Sequence, residues 1–492
     1  MQPVSRRSAL LLGGLGLAGT VAGAAGLAWT LTSRGPPVAG AALTRPAELR
    51  SAGGSLALEL EARRGPMLLA GRRATALGYN GASPGPTLRL RAGDVLGIRL
   101  LNRLAQPTNL HVHGLHVSPQ GAGDNVFVTV DPGGSFDYEY RLPADHPPGV
   151  YWYHPHLHGL VAEQIFGGLF GAIVVEDTEP IAAATDRVLL VSDTELDAAG
   201  NVRDVPPVQR MAGREGSLVL VNGQFNPLLS ALPGQRERWR VVNACVARYL
   251  RLRLDGQGMQ LLGMDSGRFQ SPAPVEEVLL APGNRADLLI STAAGESVLR
   301  AAHYDRGSMP GMMGRVPAGQ GTAELPQGIS LATLHVAGEA VAGPAGMPPR
   351  PAPADLRQVS VAVRRQFLLA AGMRGDRMGA DGGAMMAFTI NGREFDAART
   401  DTTVAAGSVE EWTVVNTSPM DHPFHLHVWP MQLLSTNGAA ADAPVWQDVV
   451  NVPANGWVSV RIAFKEFTGK SAYHCHILDH EDLGMMGVVE VR

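Results

Sequence analysis

The sequence predicts an all-β chain of three consecutive sandwich domains, and three observations carry that expectation. Gly (59) and Pro (35) make up about a fifth of the 492 residues, a density that breaks helices and favours short strands joined by turns. Hydrophobic residues reach 45% against 17% charged, which excludes a disordered or coiled-coil chain. One ordered series of motifs is also written three times along a length that suits two to four domains.

Residues 1–40 stand apart from that series. They contain Arg6, Arg7 and Arg34 and no acidic residue; the first carboxylate is Glu48. Between Ser8 and Ser33 runs an uncharged Ala/Gly/Leu-rich stretch, and a basic start before an apolar middle reads as an export signal. Ser5-Arg6-Arg7 followed by Leu10 resembles a twin-arginine signal. A retained membrane anchor is the competing reading, because 26 uncharged residues could span a bilayer. The signal is preferred because six glycines between Gly13 and Gly26 make a weakly hydrophobic helix. The mature chain is expected outside the cytoplasm, on the periplasmic or extracellular side, without stable membrane insertion.

The repeated unit starts at Tyr79-Asn80-Gly81, Val221-Asn222-Gly223 and Ile390-Asn391-Gly392. Each start is followed by a glycine and a strand-like run: Val95 to Asn102, Glu237 to Asn243, and Glu410 to Asn416. Each copy then reaches a proline turn and an alternating strand, beginning at Pro132, Pro282 and Pro453. The intervals of 142 and 169 residues are domain-sized rather than solenoid-sized. Period-2 alternation between Gly/Pro/Asn turns is the mark of a β-sandwich. The expected domains are 45–178, 187–335 and 358–492, with an Ala/Gly/Pro-rich, semi-rigid linker over 336–357.

The histidines carry the chemistry. Fifteen placed at random would form about 0.5 His-x-His pairs in this length; the chain has five, at 111/113, 154/156, 156/158, 425/427 and 474/476. Residues i and i+2 of a strand share a face, so each pair offers two imidazoles to one point, and imidazole suits Cu, Zn, Fe and Ni. Alternation turns Cys475 away from the face of His474 and His476, so it can serve a different ion. A thiolate, two histidines and a weak axial methionine describe a blue-copper electron-transfer site. His480 and Met485 follow Cys475 closely, and His422, across Pro423 from His425, is the second histidine. A zinc site competes, but a lone cysteine with a methionine and many histidines fits copper better.

These motifs together resemble the multicopper oxidase family over essentially everything after the signal. They are His111-Val-His113-Gly, Trp152-Tyr-His154-Pro-His156, His422-Pro-Phe-His425-Leu-His427 and the run His474-Cys475-His476 through His480 to Met485. The resemblance implies three cupredoxin-like Greek-key domains and four copper ions: one type 1, one type 2 and two type 3. It makes His422, Cys475, His480 and Met485 the type 1 ligands, and gives the type 2 ion to His111 and His425. His113, His154, His156, His427, His474 and His476 fall to the type 3 pair. Four cluster ligands lie in each outer domain, so the cluster must bridge the first and third, positioned by the second. The implied reaction is one-electron oxidation of a reductant with reduction of O2 to water. Asp124 and Glu481 match the family's proton-relay carboxylates. His116 and His158 match no ligand, His146, His303 and His335 have no partner at metal spacing, and Cys245 reads as a small buried hydrophobe.

For the reductant, eight of the seventeen methionines fall between Met309 and Met386, and thioethers select Cu(I). Met309, Met312 and Met313 form one group and Met373, Met378, Met385 and Met386 another, both in Gly-rich sequence that does not read as core. The second group lies where similar periplasmic cuprous oxidases carry a methionine-rich insert, and Met420 matches a further methionine of those enzymes. Two departures matter: the insert is short, and the carboxylate expected two residues before Met420 is Ser418, for which Asp421 is the nearby substitute. Cu(I), in copper tolerance, is the favoured substrate, with a small phenolic reductant the alternative. A copper-free envelope scaffold of the cell-division type, which shares the three domains but loses ligands, is the reading from another class. The net charge of −4 offers no broad basic surface, so no nucleic-acid partner is expected. A monomer is expected.

Overall fold

The computed structural model describes residues 36–308, 328–344, 346–347, 350–378 and 384–492, with backbone alone over 373–378 and 384–385. Residues 1–35 of the export signal expected over 1–40, and Met309, Met312 and Met313, lie outside the described residues.

The described residues fold into six sheets that form three successive two-sheet sandwiches. In the first, Ser55–Leu69, Arg72–Tyr79, Val95–Arg103 and Ser135–Arg141 make one sheet. The second sheet contains His111–His113, Gly149–His154 and Gly171–Val175. Along Val95–Arg103 the side chains of Leu96, Ile98 and Leu100 are buried and Arg99 and Arg103 exposed, the alternation that closes one face on a core. They meet Val112, Tyr151, Tyr153 and Ile173 of the facing sheet. The middle sandwich, from Thr185–Thr194 to Ile329–Val336, closes on Trp239, Leu252 and Leu288. The third, from Val363 to Val491, closes on Trp412, Phe424 and Val460.

The threefold repeat has a physical basis at two asparagines per copy. Asn80, Asn222 and Asn391 sit at φ of 52°, 51° and 53°, each followed by a glycine also at positive φ. A turn with two left-handed residues is the one Asn-Gly serves. Their amides also accept the backbone N–H groups of Glu61, Leu190 and Leu368 on the adjoining strands at 2.7–2.9 Å. The strand-ending Asn102, Asn243 and Asn416 each donate to a backbone carbonyl of the loop that follows, at Gln106, Arg248 and Met420, and to one farther along the chain, at Val130, Leu280 and Val452. Buried turns must satisfy their own polar groups, and one residue type does so at matching points in all three domains. A parallel strand pair also recurs: Ser55–Leu69 with Val95–Arg103, Thr185–Thr194 with Arg236–Asn243, and Val363–Met378 with Val409–Asn416.

Buried ion pairs join the sandwiches. Asp177, at the end of the first, takes Arg238, Arg268 and, from the segment before the third, Arg350. Charges this deeply placed must be paired, which holds the three bodies in register around the sites between them.

Candidate metal centres

Strand pairing brings the histidine motifs together. His111 lies opposite His154 in one antiparallel ladder, and His425 opposite His474 in another. The two ladders belong to the first and third domains, and their histidines meet ring to ring: His111 on His427 and His113 on His425, each at 4.0 Å between centroids. Nε2 of His474 lies 3.1 Å from Nε2 of His156 and 3.0 Å from that of His427. Nδ1 of His113 and Nε2 of His154 lie 3.5 Å apart. The ring of His476 lies 4.9 Å from that of His113.

A metal fits this donor set and protein hydrogen bonding does not. Three ring nitrogens converging within about 3 Å cannot all be paired with one another, because a neutral imidazole has one donor and one acceptor. Nε2 of His111 and His425, and both ring nitrogens of His476, are buried without a hydrogen-bond partner, a costly state unless a cation takes their lone pairs. Burial holds His154 at a pKa of about 3, and His111, His113, His156, His425, His427 and His476 well below the ordinary value. Neutral imidazole is the ligand form.

A second constellation lies on the other side of Cys475. Its Sγ is 3.3 Å from Nδ1 of His422 and 3.9 Å from Nδ1 of His480, and those nitrogens are 3.3 Å apart. Met485 is fully buried and its carbonyl accepts the Cys475 N–H at 3.0 Å. Burial pushes the Cys475 thiol up and holds His422 at about 3, so a bound cation must displace the thiol proton. The outer edges of both imidazoles already have partners. His422 Nε2 is 2.8 Å from the Ser418 hydroxyl, and His480 Nε2 is 3.2 Å from the Met211 carbonyl on the helix Pro207–Ala212 of the middle domain. Phe388 stacks on His480 at 4.2 Å.

The predicted carboxylates sit beside the histidines. Asp124 is buried, with both oxygens 2.9 Å from Nδ1 of His111 and the Val112 N–H donating to it. Burial raises it to about 8, so it retains a proton at neutral pH in the metal-free chain. Glu481 is buried with Oε2 3.1 Å from Nδ1 of His474 and Oε1 3.5 Å from Nε2 of His156. Asp421 is turned to Tyr304 and Asn451, so Ser418, not Asp421, meets His422. Met420 is 2% exposed in the third core, and Met386 is partly buried against it.

The remaining histidines stand outside these groups. His116 reaches the Val428 carbonyl and Glu466, and its N–H donates to His146. His158 packs on Phe395, and His303 and His335 are exposed. Cys245 is buried in the middle core. Sequence reasoning passed over Asp448 and Arg285. Asp448 lies 2.9 Å from Nε2 of His113, and Arg285 pairs with it at 2.5 Å. The available signal was a carboxylate inside the apolar run Trp446-Gln-Asp-Val-Val450, a charge that burial obliges to find a partner.

Comparison with known proteins agrees with this construction. Three models of the multicopper oxidase family match residues 62–180, 194–309 and 370–492. A multicopper oxidase from Campylobacter jejuni, described as a metallo-oxidase, superposes with a TM-score of 0.79 at 30% identity, covering 92% of this chain and 96% of that one. Multicopper oxidase mco of Staphylococcus haemolyticus is 28% identical over 429 residues, 84% of this chain and 83% of its own. Cell division protein FtsP of Sodalis glossinidius is 29% identical over 461 residues, 88% and 91% of the two chains. Fold and donor set define a copper oxidoreductase built on three cupredoxin-like sandwiches. The chain belongs to the multicopper oxidase family.

Proposed function

We propose that this chain is an exported oxidase that couples one-electron oxidation of Cu(I) to the four-electron reduction of O2, serving copper tolerance. The observation that carries the oxidase reading is the continuity of the two constellations. Cys475 faces His422 and His480, while its bonded neighbours His474 and His476 belong to the histidine cluster. His422, Cys475, His480 and Met485 would hold one copper, His111 and His425 a second, and His113, His154, His156, His427, His474 and His476 a pair. So loaded, the first centre would accept single electrons and the cluster would pass four of them to O2, yielding two waters.

The chain's own residues supply the remainder. The bonded run 474–476 gives a short covalent path between the centres. Reducing O2 to water consumes protons, and Asp124, a buried carboxyl against His111 that holds a proton in the metal-free chain, is placed to supply one. Glu481, between His474 and His156, is placed to hand on a second. The buried walls exclude bulk water from both centres.

Cu(I) is favoured by the methionines of the hairpin from Val363–Met378 to Ala384–Ile390 and by the metallo-oxidase relative. Ser418 in place of a carboxylate supports the alternative, laccase-like oxidation of phenols. The FtsP similarity supports a non-catalytic division scaffold, against which stands the retention of all twelve candidate ligands. Steady-state oxidation of Cu(I) and of a bulky phenol, with O2 uptake followed, separates the three. Cuprous turnover at one O2 per four electrons is expected; phenol turnover alone would select the laccase-like reading, and no turnover by copper-loaded protein the scaffold.

A further inference from the structure

The middle domain contributes no candidate copper ligand, yet one of its side chains ends inside the cluster. Arg285, on the strand Arg285–Ser291, is fully buried. Its guanidinium grips Asp448 of the third domain with two bonds, Nη1 to Oδ1 at 2.5 Å and Nη2 to Oδ2 at 2.7 Å. Nε donates to the Val150 carbonyl of the first domain at 3.1 Å. Asp448 in turn lies 2.9 Å from His113 Nε2 through Oδ1, and its backbone carbonyl 2.7 Å from His425 Nδ1. Asp265, also from the middle domain, accepts the N–H groups of Arg285 and Asp448. Space is tight around this chain of contacts. A Cβ at Gly114, whose φ is +85°, would collide with the Arg285 guanidinium, and one at Gly283 would press on the His476 ring.

We infer that Arg285 is a positioning residue of the histidine cluster: held by it, Asp448 orients one histidine from each outer domain toward the copper ions. The reasoning is one of protons and geometry. A carboxylate whose two oxygens each accept a guanidinium N–H can only accept from a further neighbour. His113 must then place its proton on Nε2, leaving the Nδ1 lone pair facing His154. The Asp448 carbonyl likewise takes the proton of His425 Nδ1, leaving Nε2 open. Such outer partners set the tautomer and ring direction of metal-bound imidazoles, and their loss typically weakens metal affinity 10–100-fold. Because Arg285 also reaches Val150, one guanidinium ties all three domains to the cluster, which makes the middle domain part of the centre.

The inference rests on the copper reading, and the test keeps the two apart. In metal-free protein, imidazole nitrogen-15 shifts should report His113 protonated on Nε2; an Nδ1-protonated ring would overturn the inference in the wild type itself. Arg285→Gln should give a mixed tautomer and lose half or more of the cluster copper by metal analysis, while the Cys475 charge-transfer band per chain persists. Arg285→Lys, which restores charge without the fork, should recover part of the copper. Asp448→Asn, equal in volume, should reproduce the loss if Arg285→Gln does not fold. Wild-type copper content and tautomer in a folded Arg285→Gln protein would overturn the positioning role and leave the copper reading intact. A wild type with the expected tautomer that binds no copper would instead remove the copper reading.

Discussion

Cys475 decides what the molecule can do at the scale of one residue. Its thiol is buried and pushed up in pKa by that burial, so in the metal-free chain it is a neutral, inert group. Copper would convert it to a thiolate bonded between two cluster histidines. Cys475→Ser is expected to abolish the blue absorption and oxidase turnover while metal analysis still finds about three of four coppers. A variant that remained blue would show that the thiolate assignment is wrong. Asp124 acts on protons rather than electrons. Asp124→Asn keeps the shape against His111 but cannot donate as a carboxyl does, so turnover with O2 should drop about 10²-fold at unchanged copper content. These two residues were legible beforehand for different reasons. Cys475 stands out because His-Cys-His puts a soft ligand out of phase with two imidazoles, whereas Asp124 was picked from family likeness alone. The partner of Asp448 was not legible, because nothing local marks which arginine a buried carboxylate will meet 163 residues away.

Elements position these residues, and two of them carry tests. The helix Val161–Gly167 has no cap from its own preceding residue. Asp482, at the end of the short helix Leu478–Asp482, instead accepts the N–H groups of Gly159, Val161 and Ala162 at 2.7–3.1 Å. That side chain joins the first domain to the helix bearing His480 and Glu481. Asp482→Ala strands three donors, two of them on the buried residues Val161 and Ala162, and should cost about 1–3 kcal/mol in chemical unfolding. The hairpin Val363–Met378 with Ala384–Ile390 offers a different test. Met386 packs against the third core, so it is left in place while Met373, Met378 and Met385 are changed to Ser. Cuprous oxidation should fall severalfold as soft ligands are lost, with phenol oxidation unchanged or raised. Equal losses for both substrates would mean that the hairpin only supports the sandwich.

At the scale of the whole molecule, burying so many imidazoles makes the fold acid-sensitive. An unfolded histidine takes its proton near pH 6.5, whereas His154 and His422 resist it until about 3. Between those values the unfolded chain binds more protons, so stability falls as pH falls. The slope is about 1.4 kcal/mol per pH unit for each such group. Metal-free protein should therefore lose melting temperature steeply from pH 6.5 downward. A melting temperature flat between pH 6.5 and 4 would contradict the neutral, buried cluster. The three domains must stay docked for this, since the imidazoles are dry only where the first and third domains meet.

What the sequence determined by itself is the repeating unit and the kind of chemistry. Asn-Gly turns, alternating strands and His-x-His pairs are short-range patterns, and a strand's period of two converts spacing directly into facing without reference to the rest of the chain. Tertiary structure alone decided how the copies meet. It placed Arg285 behind Asp448, the Met211 carbonyl and the Ser418 hydroxyl against the two histidines of the cysteine site, and Asp421 away toward Tyr304. Those contacts join residues from 4 to 269 positions apart. Most depend on which surfaces exclude water together, and burial is a property of the packed molecule that no local pattern encodes.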